Sequence, residues 1–193
     1  MKEDSELKDI PRSEVPEFQT TLDFLKAKSN WNELIDFLKE KAERYPESYY
    51  ILSELSQAYR LVDNSQGALL CSQRAMQLVP DDDDDLVIYN HGVALMLNDM
   101  YSEAITYLNM ILVKSIDEIA YGEHGEGKKW GTSLYNDSLY VKGICYMELG
   151  NRVEALHYIQ LHLSNRRRGL YSDFSRREVL QQLKILLGNK ACI

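Results

Sequence analysis

A pair of amphipathic helices recurs along this chain at a nearly constant interval, and that recurrence limits the fold more than any other feature. The clearest copy runs from Tyr49 to Pro80. Its first half sets Leu52, Leu55 and Tyr59 at helical spacing, Asp63-Asn64-Ser65 interrupts the pattern, and its second half aligns Ala68, Leu69, Ala75 and Leu78 on one stripe. Two such helices joined by a polar turn leave an apolar face that only neighbouring copies can cover.

Three further copies are present. The first has Phe18, Leu22 and Leu25, a break at Ser29-Asn30, then Trp31, Leu34, Ile35, Leu38 and Ala42 ahead of Pro46. Pro80 follows Pro46 by 34 residues, and Ala68 follows Leu34 by the same 34. The third copy has Ile88, Gly92 and Leu95, a break at Asn98-Asp99, then Tyr101, Ala104, Ile105, Leu108 and Ile111. The fourth has Leu139, Gly143, Tyr146 and Leu149, a break at Gly150-Asn151, then Ala155, Leu156, Ile159 and Leu163. The pairs Gly92/Ala104 and Gly143/Ala155 share one offset of 12.

These residues resemble the tetratricopeptide repeat, a helix-turn-helix of about 34 residues with a small residue where its helices cross, an early Ala in the second helix and a closing Pro. The matching positions are Leu52, Leu55, Ser56, Tyr59, Ala68, Ala75 and Pro80; Ile88, Gly92, Leu95 and Ala104; and Leu139, Gly143, Tyr146 and Ala155. The first copy departs, with Leu22 at the small slot and Leu34 at the Ala slot, as a terminal capping repeat does. The fold implied is an all-α, right-handed solenoid of about four hairpins, at 15–48, 49–84, 85–113 and 136–169. A capping helix at 171–187, carrying Phe174, Val179, Leu180, Leu183 and Leu186, closes a single domain of 14–187. Residues 1–13 are expected to be a flexible leader and 188–193 a tail.

Two places depart from the plain period. The aspartates Asp81 to Asp85 add two residues and are expected to cap the following helix. Between Val113 and Ser133 about 17 residues are extra, with Tyr121, His124 and Trp130 in a Gly-rich setting. This 114–132 insertion is open to two readings: a helix plus an ordered loop packing its own aromatics, or a loop reaching a partner.

No chemistry of catalysis is legible. The histidines His91, His124, His157 and His162 lack metal-ligand spacing with cysteine, and GEHGEG lacks the GK[ST] ending of a phosphate loop. Cys71, Cys145 and Cys192 suggest neither a disulfide framework nor zinc, and Cys145 reads as a core residue. A net charge of -8 disfavours a nucleic-acid partner, and no apolar run is long enough to span a bilayer or to serve as a signal. The expectation is a cytoplasmic, non-enzymatic protein with no cofactor or metal, an unstated oligomeric state, and a protein or peptide partner.

The resemblance implies that the first helix of each repeat lines a concave groove. Its slots here hold Pro16, Gln19, Asp23 and Lys26; Tyr50, Ser53, Gln57 and Arg60; Leu86, Tyr89, Val93 and Met96; and Asp137, Tyr140, Ile144 and Met147. The partner contacts expected are Tyr50, Leu86, Tyr89, Asn90, Val93, Met96, Tyr140, Ile144 and Met147, weighted toward the apolar third and fourth repeats. The two-Asn, three-cation clamp of the family's cochaperone branch is not reproduced, since Ser53, Gln57, Asp137 and Val141 stand in four of its slots. A second cluster, Arg166, Arg167, Arg168, Arg176 and Arg177, reads either as neutralising nearby carboxylates and capping helices or as docking an acidic partner. The function expected is a polypeptide-holding scaffold, as an adaptor or as a dedicated chaperone or immunity-type neutraliser of one protein. The alternative is a small-molecule or nucleotide sensor built from the 114–132 loop, Asp137 and the arginines.

Overall fold

A computed structural model describes residues 10–79, 84–122 and 125–188. Pro80, Asp81 to Asp83, His124, Cys192, the 1–9 part of the leader and the 189–193 part of the tail lie outside the described residues. Ten α-helices account for most of the described chain, and no strand occurs among the described residues. No described helix is long and apolar enough to cross a membrane. The chain divides into two compact units with the boundary between Asn98 and Asp99.

The N-terminal unit contains α1 (Val15–Ala27), α2 (Trp31–Arg44), α3 (Tyr49–Leu61), α4 (Ser65–Leu78) and α5 (Asp85–Met96). Three starts fall where the repeat spacing put them, at 15, 49 and 85. Pro16 occupies the first turn of α1, where the missing N–H has no helical partner to lose. Asp84 begins α5 by accepting N–H bonds from Leu86 at 3.0 Å and Val87 at 3.1 Å, the capping role expected of the aspartate run. The leader is not loose throughout: Ile10 is buried against the cluster of Phe18, Leu22, Leu34 and Leu38.

The hairpin turns share one geometry. Ser29, Asp63 and Gly150 adopt left-handed backbone, with φ of 53°, 58° and 74°. The following Asn30, Asn64 and Asn151 donate their N–H groups to the carbonyls of Leu25, Tyr59 and Tyr146 at 3.2, 2.9 and 2.9 Å, and each begins the next helix. This reaches back over the last turn, satisfies a carbonyl the helix leaves open, and reverses the chain in two residues. Asp99, at φ 62°, holds the equivalent place before Met100. Helix crossings follow the small slots. At the slot in α3, Ser56 Oγ donates to the Ala68 carbonyl at 2.8 Å. Leu22 fills that slot in α1, and α1 packs less closely against α2 than α3 does against α4.

The C-terminal unit contains α6 (Tyr101–Leu112), α7 (Ile116–Tyr121), α8 (Lys128–Glu148), α9 (Arg152–Arg167) and α10 (Arg176–Leu187). The 114–132 insertion is mostly helix. Ser115 starts α7 with a capping box: its hydroxyl accepts from Glu118 N–H while the Glu118 carboxylate accepts from Ser115 N–H. Residues 128–132 of the insertion, followed by 133–135, extend α8 by eight positions ahead of the repeat's start at 136. The two helices pack together because Gly131 has no side chain; a Cβ there would lie 2.7 Å from Ala120 Cβ and 2.8 Å from its Cα and N. Ile119 and Ala120 are buried as a result. Gly131→Val is expected to push α7 away, at a cost of about 1–3 kcal/mol. Hydrogen exchange should then accelerate at Ile119 and Ala120 while α3 and α4 keep their protection.

Beyond α9, Gly169 ends the helix in left-handed conformation (φ 91°), as its sequence position suggested. An irregular connection leads to α10, which Ser175 caps and Gly188 (φ 67°) terminates. Val179 and Leu186 of α10 join Tyr140, Ala155, Ile159 and Leu163 in the core of this unit.

Candidate partner-binding surfaces

On the N-terminal unit, α3 packs against α5, and Asn90 Nδ2 donates to Ser53 Oγ at 2.9 Å to fix them side by side. That bond draws Asn90 and Ser53 out of solvent, at 6% and 2% exposure, and Val93 is buried at 4%. Asn90 and Val93 therefore serve packing, where the groove pattern made them contacts. The half-buried residues on the same slots are Tyr50, Gln57 and Arg60 from α3 with Leu86, Tyr89 and Met96 from α5. The Tyr50 ring sits edge-on to Phe18 with centroids 6.3 Å apart, so its orientation is set by the core beneath it. Along the edge, Lys26 Nζ pairs with the buried Glu54 carboxylate at 2.6 Å.

On the C-terminal unit the equivalent slots are occupied from within. Tyr140 is buried at 3%, with its ring centroid 4.5 Å from Phe174 and 5.4 Å from His162. Ile144 and Met147, both half-buried, pack against the cluster to which α10 contributes Val179 and Leu186. Part of this repeat's apolar character therefore goes into the core of its own unit.

Asp137 is likewise internal. Its carboxylate accepts from Asp173 N–H at 3.0 Å and from Ser133 Oγ at 3.3 Å, pinning the connection before α10. Burial pushes its pKa up to about 6, with hydrogen bonds from Ser172, the Asp173 backbone and Ser133 acting in the opposite sense. Neighbouring His162 donates through Nδ1 to the Asn136 carbonyl at 2.8 Å, and burial lowers its pKa. Cys145 is a core thiol as the sequence suggested, and burial pushes it up to about 12. One internal polar group escaped the sequence reading: buried Lys142 donates to Asn109 Oδ1 and to Tyr158 Oη, with its ammonium 4.1 Å from the Tyr158 ring centre. Its only sequence signal is a lysine beside the crossing Gly143.

Of the insertion's aromatics, Tyr121 is exposed and Trp130 is half-buried at the start of α8. The arginine cluster splits. Arg166 Nη1 donates to the carbonyls of Phe174 at 2.7 Å and Ser172 at 3.3 Å, while Arg167, Arg168, Arg176 and Arg177 are exposed.

No protein-family model matches the sequence, and no curated protein matches it closely enough to count as a relative. Solved structures do match. MamA from Desulfovibrio magneticus RS-1, from residue 41 to its end, aligns with a TM-score of 0.61 at 14% identity, covering 88% of this chain and 81% of that one. A MamA RS-1 double mutant gives 0.61 at 15% identity over 88% and 80%, and a further MamA crystal structure gives 0.58 at 18% identity over 88% of each. The fold is the tetratricopeptide-repeat fold. Identity this low carries the fold alone, so the chemistry of the repeat surfaces has to come from this chain's own residues. On the first-helix slots, Tyr50, Gln57 and Arg60 of the second repeat, Leu86, Tyr89 and Met96 of the third, and Ile144 and Met147 of the fourth are half-buried, while Ser53, Val93, Asp137 and Tyr140 are buried.

Proposed function

We propose that this chain is a non-enzymatic scaffold that holds a polypeptide partner across the first helices of its N-terminal repeats. The observation that carries the reading is the set Tyr50, Gln57, Arg60, Leu86, Tyr89 and Met96, only half-buried on adjacent helices α3 and α5 that a buried side-chain bond locks together. Aromatic, arginine and methionine side chains on a rigid base provide large contact area at low ordering cost. Relative to the sequence expectation, the contact region moves from the third and fourth repeats to the second and third.

A photo-crosslinking residue at position 57 identifies the partner, and titration of that purified partner tests the surface. Arg60→Ala combined with Tyr89→Ala is expected to weaken its affinity by about tenfold or more with an unchanged helical spectrum. Unchanged affinity in the double variant rules the surface out. Stoichiometry then separates the two forms of the role: a tight one-to-one complex marks a dedicated chaperone or neutraliser, and micromolar binding of short peptides marks an adaptor.

A further inference from the structure

Five cations occur on the last two helices of a chain whose net charge is -8: Arg167 and Arg168 at the close of α9, and Arg176, Arg177 and Lys184 on α10. All five are exposed, and none forms an ion pair with a carboxylate among the described residues, where the pairs are Lys26–Glu54, Arg44–Glu14 and Arg74–Glu47. The first two have a local explanation, because cations at a helix C-terminus favour the dipole. Arg176 and Arg177 have the opposite one. They occupy the first two positions of α10, where the dipole and the free N–H groups disfavour positive charge. Folding alone would place carboxylates there, as it does with Glu178 one residue later.

Their placement on the helix is ordered. Arg176, Leu180 and Lys184 succeed each other at intervals of four and so form one row, with Arg177 and Gln181 in the row beside it. Together these five residues line an open depression that contains no carboxylate. Leu180, half-buried, gives it an apolar floor. From Arg176 to Lys184 the row spans about 12 Å at the helical rise per residue. An extended strand presents its alternate side chains about 6.6–7 Å apart, so acidic residues at alternate positions of a five-residue stretch match that length.

We infer that this face of α10 is a second docking surface, for an extended acidic segment of a polypeptide. It belongs to the C-terminal unit and does not depend on the reading of the α3–α5 set, which belongs to the N-terminal one. The chain's overall negative charge opposes a long polyanion such as nucleic acid and tolerates a short acidic stretch that touches only this patch.

The probe is a fluorescein-labelled peptide of alternating Asp and Ser, titrated against the whole chain by anisotropy at low salt, with single-stranded DNA of the same label as the comparison. Saturable binding that weakens as salt is raised is expected for the peptide. The triple variant Arg176→Glu, Arg177→Glu, Lys184→Glu is expected to lose affinity by about tenfold or more. Acidic residues favour the first turn of a helix and disfavour the last, where Lys184 lies, so an unchanged helical spectrum of the variant shows that the loss is not melting of α10. Arg60→Ala with Tyr89→Ala is expected to leave peptide affinity unchanged, which separates failure of this inference from failure of the scaffold surface. The inference is overturned if the wild-type chain does not bind the peptide, if the triple variant binds it equally, if the α3–α5 variant is the one that loses it, or if DNA binds more tightly.

Discussion

Ile159→Ala is expected to cost about 2–5 kcal/mol and to open the C-terminal unit before the N-terminal one. Ile159 is fully buried on α9, and its Cγ1 lies where Gly143 of α8 leaves a notch: a Cβ at position 143 would come within 2.8 Å of that carbon and 3.3 Å of the Ile159 nitrogen. Truncation therefore removes contacts on both sides of the crossing, with Ala155, Leu163 and Val179 also losing a neighbour in the same cluster. The pairing can be tested against itself. Gly143→Ala alone forces a clash with a stiff, β-branched side chain and destabilises. In the Ile159→Ala background the offending Cγ1 is gone, so the same change costs less, and the double-mutant cycle should show coupling of about 0.5–3 kcal/mol. Hydrogen exchange along α8 and α9, read beside α3 and α4, reports which unit opens. Strict additivity would mean that the crossing is not held by this contact.

The crossing, the turns and the helix starts were legible because they rest on local chemistry. Ser29-Asn30, Asp63-Asn64 and Gly150-Asn151 read as breaks because polar and glycine residues tolerate left-handed backbone, and each takes that conformation. The small slots at Ser56 and Gly143 mark close approach for the same reason in sequence and in space. What the pattern did not carry was which apolar slots stay open. Tyr140, Ile144 and Met147 have the periodicity of a groove face, and whether that face meets solvent or α10 depends on how the capping helix packs, which no local spacing records. The insertion stayed open between a helix with an ordered loop and a loop reaching a partner for a related reason. Its glycines suggested a loop, yet Gly131 is there to admit Ala120 of α7, and a close helix contact has the same composition as a turn. Only the Ser115…Glu118 spacing marked α7 in advance, and it is short enough to be overlooked.

Acidification is expected to destabilise the N-terminal unit by about 3 kcal/mol between pH 6.5 and pH 4, through one side chain. His91 is buried on α5, and burial lowers its pKa from 6.5 to about 4. Its Nδ1 lies 3.0 Å from Ser72 Oγ of α4, a hydroxyl that also lies 3.0 Å from the Leu69 carbonyl, and burial favours the neutral ring. The sign follows from which state takes up the proton first. Above 6.5 the ring is neutral in both states and its contribution is intact; between 6.5 and 4 the unfolded chain is protonated and the folded one is not, so stability falls with pH. The C-terminal unit behaves differently. His162, also lowered, acts in the same direction, but Asp137, raised to about 6, favours the folded state as pH falls from 6 toward 3.8 and offsets it. The lowered pKa of Glu118 belongs to an exposed group and acts only near the bottom of this range. Trp31 and Trp130 are the chain's two tryptophans and fall in different units, so Trp31→Phe and Trp130→Phe variants report each unit by fluorescence during urea titrations at several pH values. The N-terminal signal should lose stability steeply toward pH 4 and the C-terminal one less. His91→Gln should flatten the N-terminal slope whatever it does to stability at pH 7; equal slopes with and without His91 would show that its burial is not what couples this unit to pH.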